Sequence, residues 1–288
     1  MILSDDDLTA RPHDLPPRGT HDTYAEIPAL NWSTLKHLAV SALMLRWRVD
    51  HPQEDSRSLA LGRAIHCAVL EPERWASAYV AQPDFGDGRY KAAKEAKAAW
   101  LLDLPPAAEV LSADDHALAE RCAAAVRAHP VAADLLRGGR AEEVIRWTDE
   151  ETGIACKMRG DFITPAGLLD LKSTRQPTVR AMARDFASRL YHGQLAYYHS
   201  GAIAARLIPS SAEPPRVIAV QTVEPYDVVC SRLRLADLER GIGLCRTLVR
   251  RYAACQAASY WPGLAPGLID LELPAWSPGG DGATEEDW

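Results

Sequence analysis

Between Glu143 and Lys172 three strand-like runs follow one another with only tight turns between them, and nothing else in the chain restricts its architecture as strongly. Glu143-Val144-Ile145-Arg146-Trp147 alternates apolar and polar residues, Asp149 to Gly153 supplies a turn, and Ile154 to Ile163 resumes the alternation. Pro165-Ala166-Gly167 then returns the chain into Leu168 to Lys172. Helical patterns lie on both sides. Asn31 and Ser33 offer caps for a helix through Leu35, Leu38, Leu43 and Trp47. Further helices are expected over about 58–70, 89–101 and 113–128, and a long one over 179–207, with a break near Gly193. Arg216 to Val223 and Asp227 to Leu233 read as a strand pair, and a final helix covers about 236–259. A central mixed sheet flanked by helices, with a helical N-terminal part, buries all of these patterns economically. The expected class is α/β.

One domain over 23–276 is anticipated, helical over 30–130 and built on the sheet over 140–276. Residues 1–22, with Pro12, Pro16, Pro17 and Gly19, read as a flexible lead-in, and 277–288 as a disordered acidic tail. No apolar run approaches the roughly 20 residues needed to cross a bilayer. The opening Met1-Ile2-Leu3 leads into Asp5-Asp6-Asp7 without the basic start of a secretory signal, so a cytoplasmic location is expected. The six cysteines are scattered without a CxxC pair, which argues for reduced thiols and against a zinc site or disulfide framework.

Net charge is −7, an unpromising balance for a nucleic-acid partner. Seven of the acids, however, sit at the ends: Asp5, Asp6, Asp7, Asp281, Glu285, Glu286 and Asp287. Setting them aside leaves a neutral body with grouped Arg and Lys, which suits gripping a polyanion along one channel rather than coating it.

In Leu168-Leu169-Asp170-Leu171-Lys172 the alternation of a strand projects Asp170 and Lys172 together and sends Leu169 and Leu171 into the opposite layer. On the preceding run Lys157, Arg159 and Asp161 share one face. If the two strands pair, Asp161 comes beside Asp170, and two carboxylates with a lysine form a place for a hard cation. Phosphodiester hydrolysis needs such a cation to activate water and to neutralise charge on phosphorus, with an ammonium alongside. A D-x-K pattern is nevertheless common among ordinary exposed charges.

Several short stretches occur in order: Ala29-Leu30-Asn31-Trp32-Ser33, Leu61-Gly62-Arg63-Ala64-Ile65-His66, Arg159-Gly160-Asp161, Asp170-Leu171-Lys172-Ser173-Thr174 and Gln194-x-x-x-Tyr198. Together they resemble the RecB-type branch of the PD-(D/E)XK nucleases. The stretch Ala68 to Arg74, Tyr191-His192-x-Gln194, and the ending Trp261-Pro262-Gly263 with Leu273 to Trp276 are similar to the exonuclease VIII (RecE) catalytic domains of phages and prophages. The resemblance spans about 24–276. It implies Asp161, Asp170 and Lys172 as catalytic residues, and His66, Asp161, Asp170 and the Leu171 backbone carbonyl as metal ligands. Gln194, Tyr198, Arg159, Ser173 and Thr174 would contact DNA. The family's Pro-Asp is replaced here by Gly160-Asp161.

The resemblance further implies Mg²⁺ (or Mn²⁺) as cofactor, and attack on double-stranded DNA ends, 5′ to 3′. A ring-like homo-oligomer and a single-strand annealing recombinase as partner follow from it as well. No iron–sulfur cluster and no membrane contact are expected. An endonuclease, an iron–sulfur-type nuclease on the same fold, or a non-catalytic DNA-binding module are the alternatives. Other readings stay open for single residues. His66 sits among Ile65, Cys67 and Val69 and suits a core position as well as a ligand, although Gly62 one turn earlier leaves room beside it. Gln194 and Tyr198 suit a buried polar pair, and Ser173 and Thr174 suit a helix cap. Arg232, Arg234, Arg240, Arg246, Arg250 and Arg251, like Lys91, Lys94 and Lys97, suit either a solvated face or the border of a DNA channel, for which Arg246 and Arg250 are the expected pair.

Overall fold

A computed structural model describes residues 21–105, 107–265 and 267–273. The expected lead-in and tail, and Pro274-Ala275-Trp276, lie outside these residues except for His21 and Asp22, which already belong to a helix.

The N-terminal part is helical: α1 (His21–Glu26), α2 (Trp32–Leu35) with a 3₁₀ turn over Lys36–Ala39, α3 (Ala42–Asp50), α4 (Arg57–Leu70) and α5 (Pro72–Ala78). Next come β1 (Tyr79–Ala81), α6 (Lys91–Leu102), β2 (Glu109–Leu111), α7 (Ala113–Ala128) and α8 (Pro130–Leu135). The caps are chemical. Asn31 accepts the Thr34 N–H, and Ser41, Ser56 and Ser112 each accept an N–H of the first turn they open.

The sheet region comprises β3 (Arg140–Thr148), β4 (Ala155–Thr164), β5 (Gly167–Thr174), α9 (Val179–Ser188), α10 (Tyr191–Ala204), β6 (Arg216–Gln221), β7 (Val228–Arg232) and α11 (Leu235–Ala258). Its strand order is β3-β4-β5-β6-β7, with β5 and β6 parallel and the other neighbours antiparallel. The long excursion through α9 and α10 is what a parallel β5–β6 pair demands. One apolar layer joins α4 and α7 to the sheet through Ile65, Ala119, Val126, Leu169, Leu171, Ile218 and Val220. Another joins α2, α10 and α11 through Trp32, Leu35, Tyr197 and Leu248.

Two expectations change. The helix over 179–207 is two helices, and the break falls at Arg189-Leu190, where Leu190 has φ 56°, not at Gly193. Gly193 lies inside α10 because a Cβ there would stand 2.3 Å from the Trp32 ring. Its small size serves packing, not a bend. The parallel β1–β2 pair and the short α5 and α8 have too few residues to show a period in the sequence.

Candidate active site

The site forms where β4 leaves β5. Their ladder runs only from Thr164↔Gly167 to Phe162↔Leu169. One position further, Asp161 Oδ2 accepts the Leu171 N–H at 2.9 Å, so a carboxylate stands where a strand carbonyl would otherwise serve that donor. At the same level the β3–β4 register runs on unshifted from Ala141↔Phe162 to Glu143↔Gly160, which sets Glu142 opposite Asp161, and Glu142 there has φ 53°. That left-handed conformation is unfavourable for a residue with a Cβ. It accompanies a carboxylate that lines the cleft and is held by Arg159, whose Nε lies 2.8 Å from Oε2.

His66 arrives from the helical layer. The buried Ala64, Ile65, Cys67 and Ala68 pack α4 against the sheet, while His66 faces the cleft with its side chain 24% exposed. Its Nδ1 is 3.7 Å from Asp161 Oδ2 and 3.9 Å from Glu142 Oε1. Ligand atoms of His66, Glu142 and Asp161 all fall within 4.8 Å of one another. A Cβ added at Gly62 would meet nothing within 4 Å, so the cleft is open one turn before the histidine.

Asp170 is 3% exposed; its Oδ2 pairs with Lys172 Nζ at 2.7 Å, and its Oδ1 has no hydrogen-bond partner among the described residues. Burial raises the Asp170 pKa to about 6; Lys172 pulls it down and Asp161 pushes it up. For Lys172, burial opposes the charge, but Asp170 and then Asp161 outweigh it and hold the pKa above the ordinary lysine value. Burial likewise opposes charge on His66, and Asp161 with Glu142 reverses the balance to a raised pKa. Glu142 is depressed, because His66 and Arg159 outweigh the burial that would raise it.

A divalent cation fits this donor set. Lys172 neutralises one oxygen of the buried Asp170 and leaves Oδ1 without a donor, a cost that a cation would relieve. The Asp161 and Glu142 carboxylates and the His66 imidazole, whose ligand atoms lie together, supply oxygen ligands for a hard ion and one nitrogen that also suits Mn²⁺. Leu171 contributes its N–H to Asp161 and buries its side chain completely in the opposite layer.

The remaining predicted residues divide. Tyr198 lines the cleft beside Gln194, and burial pushes its hydroxyl up to about 12, against the lowering effect of the Gln194 hydrogen bond. Ser173 is exposed on the cleft wall. Thr174 Oγ1 accepts the Gln176 N–H, and the cap of α9 is Thr178, so neither Ser173 nor Thr174 caps that helix. Lys157 leaves the site: it is 4% exposed and donates to the Tyr24, Ala25 and Ile27 carbonyls. Arg232, Arg234 and Arg240 border the cleft. Arg246 and Arg250 do not line it; Arg250 pairs with Glu151 on the β3–β4 turn, in keeping with the solvated-face alternative. Lys94 and Lys97 line a separate, smaller cleft.

Glu142 is the residue that sequence reasoning missed. It stands opposite Asp161 in the β3–β4 register, a pairing that shows only once the two strands are aligned. An acidic pair at the opening of a strand is the one trace of it in the chain.

The whole cleft encloses about 2130 Å³, with Arg63, Arg74, Arg146, Arg159 and Arg175 also on its walls. The six cysteines are free and five are buried. No described helix is long and apolar enough to cross a membrane.

The model of a family described as a PDDEXK-like domain of unknown function (DUF3799) matches residues 32–271. No curated protein matches. A crystal structure of a candidate exonuclease from Eubacterium rectale is similar in fold, with a TM-score of 0.55 and 12% identity, over 95% of this chain and 97% of that one.

Proposed function

Because the chain belongs to the PDDEXK-like family, and so to the PD-(D/E)XK nuclease superfamily, we propose that it is a divalent-metal-dependent deoxyribonuclease that shortens double-stranded DNA from its ends. The observation that carries the reading is the buried Asp170 carboxylate, paired with Lys172 through Oδ2 and without a hydrogen-bond partner at Oδ1, beside Asp161 and His66 in an arginine-walled cleft.

Asp161, Asp170 and His66, with Glu142, would hold Mg²⁺ or Mn²⁺. The bound cation supplies charge neutralisation at the phosphate and lowers the pKa of water. Lys172 remains an ammonium among these acids and presents its protons to the attacking water and the phosphate oxygens. Asp161 is fixed by the Leu171 N–H, so its second oxygen keeps one direction. The arginines of the walls hold phosphates without reading bases. Attack from an end, 5′ to 3′ polarity, a ring-like assembly and an annealing protein as partner in phage-type recombination are supported by the sequence resemblance to exonuclease VIII.

Digestion of linear and covalently closed circular DNA, each with Mg²⁺ or EDTA, tests the reading. Loss of linear DNA alone, and only with metal, is expected. Cutting of the closed circle makes the enzyme an endonuclease. Intact linear DNA with Mg²⁺ and with Mn²⁺ defeats the nuclease reading.

A further inference from the structure

Helix α9 follows Lys172 by seven residues and is built unlike its neighbours. Val179, Met182, Ala183 and Phe186 recur at the spacing of a single helix face. Such a stripe normally enters a core, yet no residue of α9 is buried, and Val179 is 62% exposed. All four residues line the cleft. Phe186 meets Tyr191 edge-on, with ring centres 5.2 Å apart, and the Tyr191 ring lies 4.8 Å from Lys172 Nζ. An apolar and aromatic surface therefore runs from α9 to the lysine of the site.

Its surroundings decide what covers it. Arg175, at the entry to α9, lines the cleft and forms no ion pair among the described residues; Arg189 lines it past the other end of α9, paired with Asp185, while Arg180 and Arg184 lie off the cleft. A second copy of the chain would bring like charges to this place. A polyanion suits the arginines, but a phosphate backbone gains nothing from Met182 and Phe186. Nucleobases suit both, because they stack on aromatic and apolar side chains while their phosphates meet guanidinium groups. A duplex offers free base faces only where its end has opened.

We propose, on the basis of the nuclease reading above, that the α9 face of Val179, Met182 and Phe186, together with Tyr191, seats unpaired bases at the end of the strand being cut. The face acts as a stacking platform and fixes how far an opened end extends past Lys172.

Binding without cleavage separates this proposal from the nuclease reading. Fluorescence anisotropy in Ca²⁺ compares a labelled single strand of about twelve nucleotides with a duplex closed at both ends by hairpins. Phe186→Ala is expected to lose about tenfold in affinity for the single strand, the loss of one stacked base, and less than about twofold for the closed duplex. Phe186→Trp retains the single-strand affinity and Phe186→Leu does not, a contrast that holds even if the alanine variant folds poorly. Equal losses on both DNAs, no loss on either, or equivalent Leu and Trp variants overturn the platform while the nuclease reading stands. A smaller particle mass for Phe186→Ala in light scattering also overturns it and assigns the face to a second copy. If the unsubstituted protein binds neither DNA, the nuclease reading itself falls, and the platform with it.

Discussion

The two edges of β5 place one strand in opposite circumstances. Toward β6 it pairs at six consecutive positions, from Leu169↔Arg216 to Thr174↔Gln221. Toward β4 it pairs at three and then opens, so that Asp161 reaches across to the Leu171 N–H. The closed edge and the apolar layer of Leu169, Leu171 and Ile218 hold the strand in place. The open edge leaves Asp170 and Lys172 with no ladder neighbour on the β4 side. Asp170 keeps one oxygen on Lys172 and the other without a donor, and the β5–β6 ladder holds the strand that carries them both.

Substitutions on the open edge should give the largest effects, and on activity rather than folding. Asp170→Asn and Lys172→Ala are each expected to lower cleavage about a thousandfold or more, since both remove charge stabilisation made mainly in the transition state. Single-turnover digestion of linear DNA, with melting of the metal-free protein as control, measures this. Near-normal cleavage by either variant would remove that residue from the mechanism.

The closed edge should respond the other way. Ile218 is fully buried opposite Leu171, and Ile218→Ala is expected to cost about 2–5 kcal/mol of stability. Cleavage per folded molecule should fall far less than for Asp170→Asn. Denaturant unfolding gives the first quantity and active-site titration the second. If catalysis collapsed while stability held, the division between the two edges would be wrong.

Glu142 tests how far the open edge extends. Glu142→Gln is expected to weaken metal binding about 10- to 100-fold, the range seen when a partner in a metal's surroundings is lost. Isothermal titration with Mn²⁺ reads it. Unchanged affinity would restrict Glu142 to holding Arg159.

The pH dependence of the metal-free protein is a smaller effect with a definite sign. Asp170 titrates near about 6 in the fold and near about 3.9 in an unfolded chain. The folded state therefore binds this proton more tightly. The stability it contributes is complete below the unfolded value and is lost as pH rises through the folded one. Asp170→Asn carries no such loss. Its melting temperature relative to the parent should rise between about pH 4 and 6 and level off above. A constant difference across that range would mean that Asp170 is not perturbed.

The smallest effect concerns the arginines. Arg175→Ala and Arg234→Ala, in the cleft, should each reduce the slope of log affinity against log salt by about one. Arg246→Ala with Arg250→Ala, outside it, should leave the slope unchanged. A reversed pattern would move the DNA path to the far half of α11.

Most of the elements and half of the site were legible in the order of residues. Period-two alternation marks β3 to β5, the 3.6-residue pattern marks α4, α7 and α11, and Asp170 with Lys172 lies two residues apart on one strand, because these are local properties of the backbone. Alternation also brought Asp161 beside Asp170 on the condition that the two strands pair, and resemblance to known nucleases added His66. Packing alone settled that β4 and β5 separate after Phe162↔Leu169, that the β3–β4 register sets Glu142 opposite Asp161, and that Arg250 meets Glu151 instead of the cleft. It also left the apolar stripe of α9 half-covered on the cleft wall, although the sequence of α9 reads like that of any core-facing helix. Each of these depends on residues far apart in the chain and on how much of a ladder or a face its neighbours leave open. A periodic pattern records which side of an element is apolar; what stands opposite that side is settled only when the layers pack.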